Sequence, residues 1–373
     1  MSGASGIFDS RRNNLDFVRL SLSVVVILSH SFPLATGTER QEPFILATHG
    51  QTTGGTIAVD LFFVLSGFLI ANSFLSSSSL WSYLGKRIRR IYPGFIAAML
   101  VGALLVAPLA SASSPFHTAS AQIGNFVLSC VRLREFEYRH AFASNPAPDA
   151  INGSTWSISY EFWCYLGVAA LGLAGILARR RVVLGIFSLS LFVSFLFAFT
   201  GWAPAGSFLG PILGYPPFWA RLLPMYLAGV VFFLNRDRIP HHGYIAAGAL
   251  GVLVVAACIP LAWAVCFPLA GTYLLFWFGY HPGIHLGNFG KRGDFSYGTY
   301  LYAFPIQQLV MRFVGHPISP YLLSGIAVPL TLMAAILSWH LIEKRFIASS
   351  AKVRHPKISP ESSPKMASVA AGG

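Results

Sequence analysis

Residues 56–75 read TIAVDLFFVLSGFLIANSFL, twenty positions with a single ionisable side chain, Asp60. As an α-helix rising 1.5 Å per residue, a run of this length reaches about 30 Å, the thickness of the hydrocarbon core of a bilayer. Such a stretch reads as a membrane span. Nine more blocks of similar length and character flank it, at 15–34, 92–110, 156–177, 182–200, 218–234, 243–259, 262–280, 295–313 and 320–342. The expected fold is therefore an all-α integral membrane bundle of about ten transmembrane helices.

Composition agrees. Hydrophobic residues make up 54% of the 373 positions and charged residues 10%, with mean hydropathy +0.61. A soluble domain carries roughly 25% charged residues, so this chain cannot cover a water-facing surface. A transmembrane β-barrel would need short alternating segments, and the sequence has none. The net charge of +13 suggests nucleic acid only until its distribution is read. With an inside N-terminus, nineteen Lys and Arg fall on inner segments, and only Arg40, Arg132, Arg134 and Arg139 fall on outer ones. That asymmetry is the positive-inside pattern, with both termini in the cytoplasm. The first apolar run is too long for the core of a cleavable signal peptide and carries Arg19.

The chain divides into a cytoplasmic N-terminal segment (1–14), one membrane domain (15–346) and a Ser/Pro/Lys-rich tail (347–373) expected to be disordered and cytoplasmic. Two outer segments, 35–55 and 111–155, are long enough to form a lid or an acceptor platform. No repeat of fixed period is present. The four cysteines show no metal spacing, and no metal site is expected.

An ionisable side chain inside a span is costly, which makes each one a candidate for function. Arg19 and His30 stand eleven residues apart on the first span, close to three turns, and so share one face. Asp60 lies about a turn below the outer end of the second span, and Glu161 less than two turns below that of the fourth. His30, Asp60 and Glu161 thus fall at similar depth in the outer half, an arrangement suited to general-base chemistry. Toward the inside, Lys86, Arg87, Arg89 and Arg90 lead into the third span, where a helix N-terminus would also favour anions. If the helices pack, Arg19, Arg87 and Arg90 form a cradle for phosphate, which guanidinium grips bidentately.

The segments NNLDFVRLSLSVVVILSHSFP, AVDLFFVLSGFLI, KRIRRIYPGF, NGSTWSISYEFWCYL, FSYGTYLYAFPIQ and WHLIEKRF carry a resemblance. In this order they resemble the acyltransferase-3 family of bacterial inner-membrane O-acyltransferases, which includes polysaccharide, O-antigen and nodulation-factor acetylases. The resemblance implies a multi-pass protein of the bacterial cytoplasmic membrane. It implies acyl transfer, most plausibly of acetyl, from cytoplasmic acyl-CoA to a hydroxyl of an extracytoplasmic polysaccharide or lipid-linked saccharide. It makes His30 the catalytic histidine, Arg19 its companion, Arg87 and Arg90 the basic pair, and Glu161 the acidic position. His30 would act as general base or transient acyl carrier. Glu161 would orient His30 or bind sugar hydroxyls, with the nearby rings of Trp156 and Tyr160 stacking on sugar. One departure is visible: Tyr300-Leu301-Tyr302-Ala303-Phe304-Pro305 stands where the family often has Tyr-Leu-Trp-His-x-Pro, so that second histidine has no counterpart. The competing expectation is a transporter or flippase for a glycolipid or small anion, in which the same charges line a permeation path. Such folds usually carry inverted repeats, which this sequence lacks.

Overall fold

Each of the ten apolar runs coincides with a helix in the computed structural model, which describes residues 13–110, 120–138, 140–204, 210–287, 289–315 and 317–347. We label these helices α1 (Leu15–Thr36), α2 (Gly54–Leu75), α3 (Leu80–Leu109), α4 (Trp156–Leu173) and α5 (Arg180–Thr200). They continue as α6 (Pro216–Asn235), α7 (Gly243–Cys258), α8 (Ala262–Gly279), α9 (Ser296–Val314) and α10 (Pro320–Ser338). Shorter helices at Pro43–Ala47, Ser120–Arg132 and Gly210–Leu213 lie in the connecting segments, and the described residues contain no strand. The Arg11–Arg12 pair and the tail beyond Ile347 lie outside the described residues.

Among the described residues, seven helices are long and apolar enough to cross a membrane: α1, α2, α3, α5, α6, α8 and α10, with α6 extended to Arg238 and α10 to Ile347. The protein is accordingly a multi-pass, all-helical membrane protein. The other three fall short for definite reasons. Helix α7 has only 16 residues. Helices α4 and α9 are diluted by polar side chains, among them Ser157 and Glu161, which line the cavity described below, and the buried Gln307 and Gln308, which bond to α1 and to the 145–150 loop.

Local chemistry sets the boundaries. The Thr53 hydroxyl accepts from the Thr56 N–H at 3.0 Å and caps α2. Glu42 takes the Phe44 and Ile45 N–H groups at 2.8 and 2.9 Å, capping Pro43–Ala47, and reaches the Gly54 N–H at 2.9 Å. One carboxylate thereby ties the 35–55 segment to the start of α2. Gly37, at φ 74°, ends α1 in a left-handed turn that a side chain would strain. Helix α3 departs from expectation. It is capped by Ser79, so it begins a full twelve residues before the expected span. The Lys86–Arg90 cluster consequently lies beyond its first turn, and the dipole of the helix N-terminus does not act on it.

Helices α1 and α2 occupy the centre, α1 packed on α2, α9 and α10, and α2 on α6 and α4. Small residues permit the tightest of these contacts. A Cβ on Gly67 would run into the Tyr226 carbonyl oxygen, and one on Gly229 into that of Val64. This is backbone-to-backbone approach, and in lipid it supplies the dispersion that hydrophobicity cannot.

Candidate active site

Two tyrosines place the basic cluster. The fully buried Tyr83 donates to the Tyr165 carbonyl at 2.9 Å and locks α3 to α4. One turn later Arg87 lies over the Tyr165 ring, 5.9 Å from its centroid. Tyr297 of α9 donates to the Ile91 carbonyl at 2.9 Å, and Arg90 lies 5.7 Å over that ring. Cation–π contacts of this kind hold a guanidinium without consuming its N–H donors.

These side chains line a cavity of about 510 Å³ between α1, α2, α3, α4 and α9. Its wall carries Arg19, Lys86, Arg87, Arg89 and Arg90 against the carboxylates of Asp294 and Glu161. The excess is positive, so the cavity suits a polyanion. Its other residues include Val59, Phe62, Phe63, Ile158, Ser157 and Tyr300, which give it an apolar wall ending in two hydroxyls. The cradle expected from Arg19, Arg87 and Arg90 is thus gathered in one place, but it is not uniformly free. Arg19 and Arg90 both converge on Oδ2 of Asp294, a residue the sequence reading passed over. Burial would raise the Asp294 carboxyl, but Arg19 and Arg90, with the Ser296 donors, outweigh it and hold it below the ordinary range. Arg87 differs. Its Nη2 makes a long 3.4 Å contact with the Ser73 hydroxyl, and its Nε is buried with no partner. That buried N–H is thus able to donate to an anion in the cavity.

The expected grouping of His30 with Asp60 and Glu161 is not what forms. Asp60, 4% exposed, is ion-paired at 2.9 Å with Arg221 of α6, which also lies 5.7 Å over the Trp156 ring. Glu161 accepts from the Tyr165 hydroxyl at 2.7 Å and belongs to the basic cavity. Similar depth along separate helices does not decide which side chains meet; the facing of each side chain does. Trp156 and Tyr160 are likewise occupied: Trp156 stacks on Phe218 at 4.2 Å, and the Tyr160 hydroxyl accepts from the Tyr215 N–H at 2.6 Å. His30 instead has its Nδ1 3.4 Å from the Ser154 hydroxyl, with Phe304 edge-on at 5.7 Å. His30 is half-buried. The four cysteines are free thiols.

Arg221 and Asp294 were the functional residues that sequence reasoning missed. A signal existed for Arg221: an aspartate inside a span demands a cation, and few other spans contain one.

The sequence matches an acyltransferase domain over residues 12–343. It is 28% identical over 369 residues to the O-acetyl transferase of Shigella phage Sf6, covering 94% of this chain and 99% of that protein. It is 23% identical over 369 residues to Nodulation protein 10 of Rhizobium leguminosarum bv. viciae, covering 89% and 92% of the two chains. No solved structure matches it significantly. With a family match running from before α1 to the end of α10, the chain belongs to the acyltransferase-3 family and is an enzyme of the O-acetyltransferase type rather than a transporter.

Proposed function

We propose that this protein moves an acyl group, acetyl in the first instance, from cytoplasmic acyl-CoA to a hydroxyl of an extracytoplasmic polysaccharide or lipid-linked saccharide. Ten crossings with both termini inside, in the bacterial cytoplasmic membrane, place the basic end of α3 toward the cytoplasm, as the distribution of Lys and Arg favours. One membrane domain, 15–346, does the work. The observation that carries the reading is the unpartnered Nε of Arg87 in a cavity it shares with Arg19 and Arg90. The phosphates of CoA suit these guanidiniums in charge and geometry. From there the pantetheine arm follows the apolar wall toward Ser157 and Tyr300.

His30 is the base. Its imidazole takes the proton of the acceptor hydroxyl, the resulting oxygen attacks the thioester carbonyl, and the carbon–sulfur bond breaks. The proton then passes to the departing thiolate, giving free CoA and an ester. Glu161, lining the donor cavity beside Tyr165, acts on donor placement, and Asp60 fixes α2 to α6 through Arg221. Acetyl is favoured because the Shigella phage Sf6 relative carries the name O-acetyl transferase.

Comparative glycan analysis tests this directly. A strain lacking the gene should lose O-acyl groups from a surface saccharide, and the wild-type chain should restore them where His30→Ala does not. An unchanged glycan in the deletion strain, or full restoration by His30→Ala, refutes it.

A further inference from the structure

A histidine base works best when its second ring nitrogen is held by a partner that fixes the tautomer. The carboxylates expected to do this are engaged elsewhere, so the partner must be sought among the atoms that touch the ring. Ser154 is fully buried, and its hydroxyl, 3.4 Å from Nδ1, has no other hydrogen-bond partner among the described residues. Its backbone is held firmly. The Tyr300 hydroxyl donates to the Ser154 carbonyl at 2.6 Å, and two residues earlier Asn152 donates through Nδ2 to the Leu301 carbonyl at 2.8 Å. Adjacent residues of α9 therefore hold the 152–154 turn against α9, with the Ser154 hydroxyl facing His30 of α1. Gly153 completes the arrangement: a Cβ there would come within 2.9 Å of the Phe304 ring, which packs edge-on to His30. The same Tyr300 hydroxyl meets the Ser157 hydroxyl at 2.7 Å, and both residues line the donor cavity.

We propose that Ser154, held in place by Tyr300, is the orienting partner of His30, accepting from Nδ1–H so that the Nε2 lone pair is presented to the acceptor hydroxyl. This rests on the acyl-transfer reading above and names how its base is set. Proton and electron accounting is as given there: Nε2 takes the acceptor proton, the acceptor oxygen bonds to the thioester carbon, and the thiolate leaves with the proton returned by His30. Ser154 changes no bond. It keeps the productive tautomer and stabilises the imidazolium formed in passing. Because Tyr300 belongs both to this clamp and to the cavity wall, base orientation and donor seating share one side chain.

The test uses inside-out membrane vesicles carrying the full chain, radiolabelled acetyl-CoA as donor and the saccharide of the vesicles as acceptor. Rates are normalised to folded chain measured by size-exclusion fluorescence. A net hydrogen bond of about 1 kcal/mol corresponds to a several-fold effect. Ser154→Ala and Tyr300→Phe should each lower kcat roughly five- to tenfold, with the KM for acetyl-CoA within about twofold in Ser154→Ala and raised in Tyr300→Phe, whose side chain also lines the donor cavity. Ser154→Thr, which keeps the hydroxyl, should recover most of the rate. If Tyr300 acts through Ser154, the double variant Ser154→Ala/Tyr300→Phe is no slower than Ser154→Ala alone. Wild-type kcat in Ser154→Ala, a Ser154→Thr as slow as Ser154→Ala, or multiplied losses in the double variant each overturn the inference while leaving acyl transfer intact. Wild-type vesicles that label no saccharide overturn the acyl-transfer reading and this inference with it.

Discussion

Replacing Asp294 by Asn removes one charge and very little else. The side chain keeps its size, and its oxygen can still accept from the Ser296 N–H, now 3.2 Å from Oδ1, at the start of α9. What disappears is the anion on which Arg19 and Arg90 converge. The three side chains are between 17% and 23% exposed, so the pair of bridges stands between two regimes. Fully exposed ion pairs contribute about 0–1 kcal/mol each, whereas breaking a buried one costs about 3–5 kcal/mol. A loss of about 3 kcal/mol for both contacts follows. For a chain of this size that lowers the midpoint of thermal denaturation by roughly 5 °C. Size-exclusion fluorescence of detergent-solubilised chain after graded heating reads it. The pH dependence has a fixed sign. A carboxyl held below its ordinary value of 3.8 adds stability that is complete above that value and lost as pH falls through the folded pKa. The gap between wild type and Asp294→Asn should therefore be full at about pH 7 and shrink below about pH 4. A midpoint within about 1 °C of wild type at neutral pH would show that Asp294 does not hold the two arginines.

Arg87→Lys keeps the charge but loses the fork, and should raise the KM for acetyl-CoA about tenfold with kcat little changed, as initial rates in vesicles will show. Gly67→Ala forces α2 from the Tyr226 backbone and should cost on the order of 3 kcal/mol, seen as depleted or protease-sensitive chain; normal abundance and melting contradict the close approach. Burial pushes the Glu135 carboxyl in the outer 111–155 segment up to about 7, against the Asn152 and Ile151 N–H groups that favour its charge. Between its ordinary 4.5 and about 7 the folded chain holds a proton that the unfolded chain has lost, so stability declines as pH rises across that window. Glu135→Gln should abolish that decline, measured as the difference in melting midpoint between about pH 5 and pH 8.

What could be read from the chain and what could not divide along a physical line. Periodicity and length are local, so every apolar run announced its helix, and the Arg19–His30 face and the Lys86–Arg90 cluster stood out at once. Partnerships are not local. Asp294 is a lone acidic residue one step outside a span, and nothing near it in sequence records that two guanidiniums from α1 and α3 will meet on it. Ser154 is a small hydroxyl in a turn, a residue type common enough to carry no signal until a ring is found beside it. Glu161 was read as a neighbour of His30 because both lie at one depth; its rotation about α4 turned it toward the basic cavity instead. The start of α3 was missed because Lys86, Arg87, Arg89 and Arg90 interrupt its apolar run before Ile91.

The clamp at Asp294 also has a history in time. Its partners Arg19 and Arg90 precede it by 275 and 204 residues. At about 5–20 residues per second, roughly 10–40 s of synthesis separate Arg90 from the carboxylate that will hold it. Until then two guanidiniums stand in a half-built bundle with water or lipid headgroups as their only anions. A chain released before residue 294 cannot close this junction, and pulse–chase labelling should find it degraded faster than the full chain. The basic cavity is finished by one of the last helices to be made, so an abandoned fragment lacks the Asp294 and Tyr297 that complete its wall.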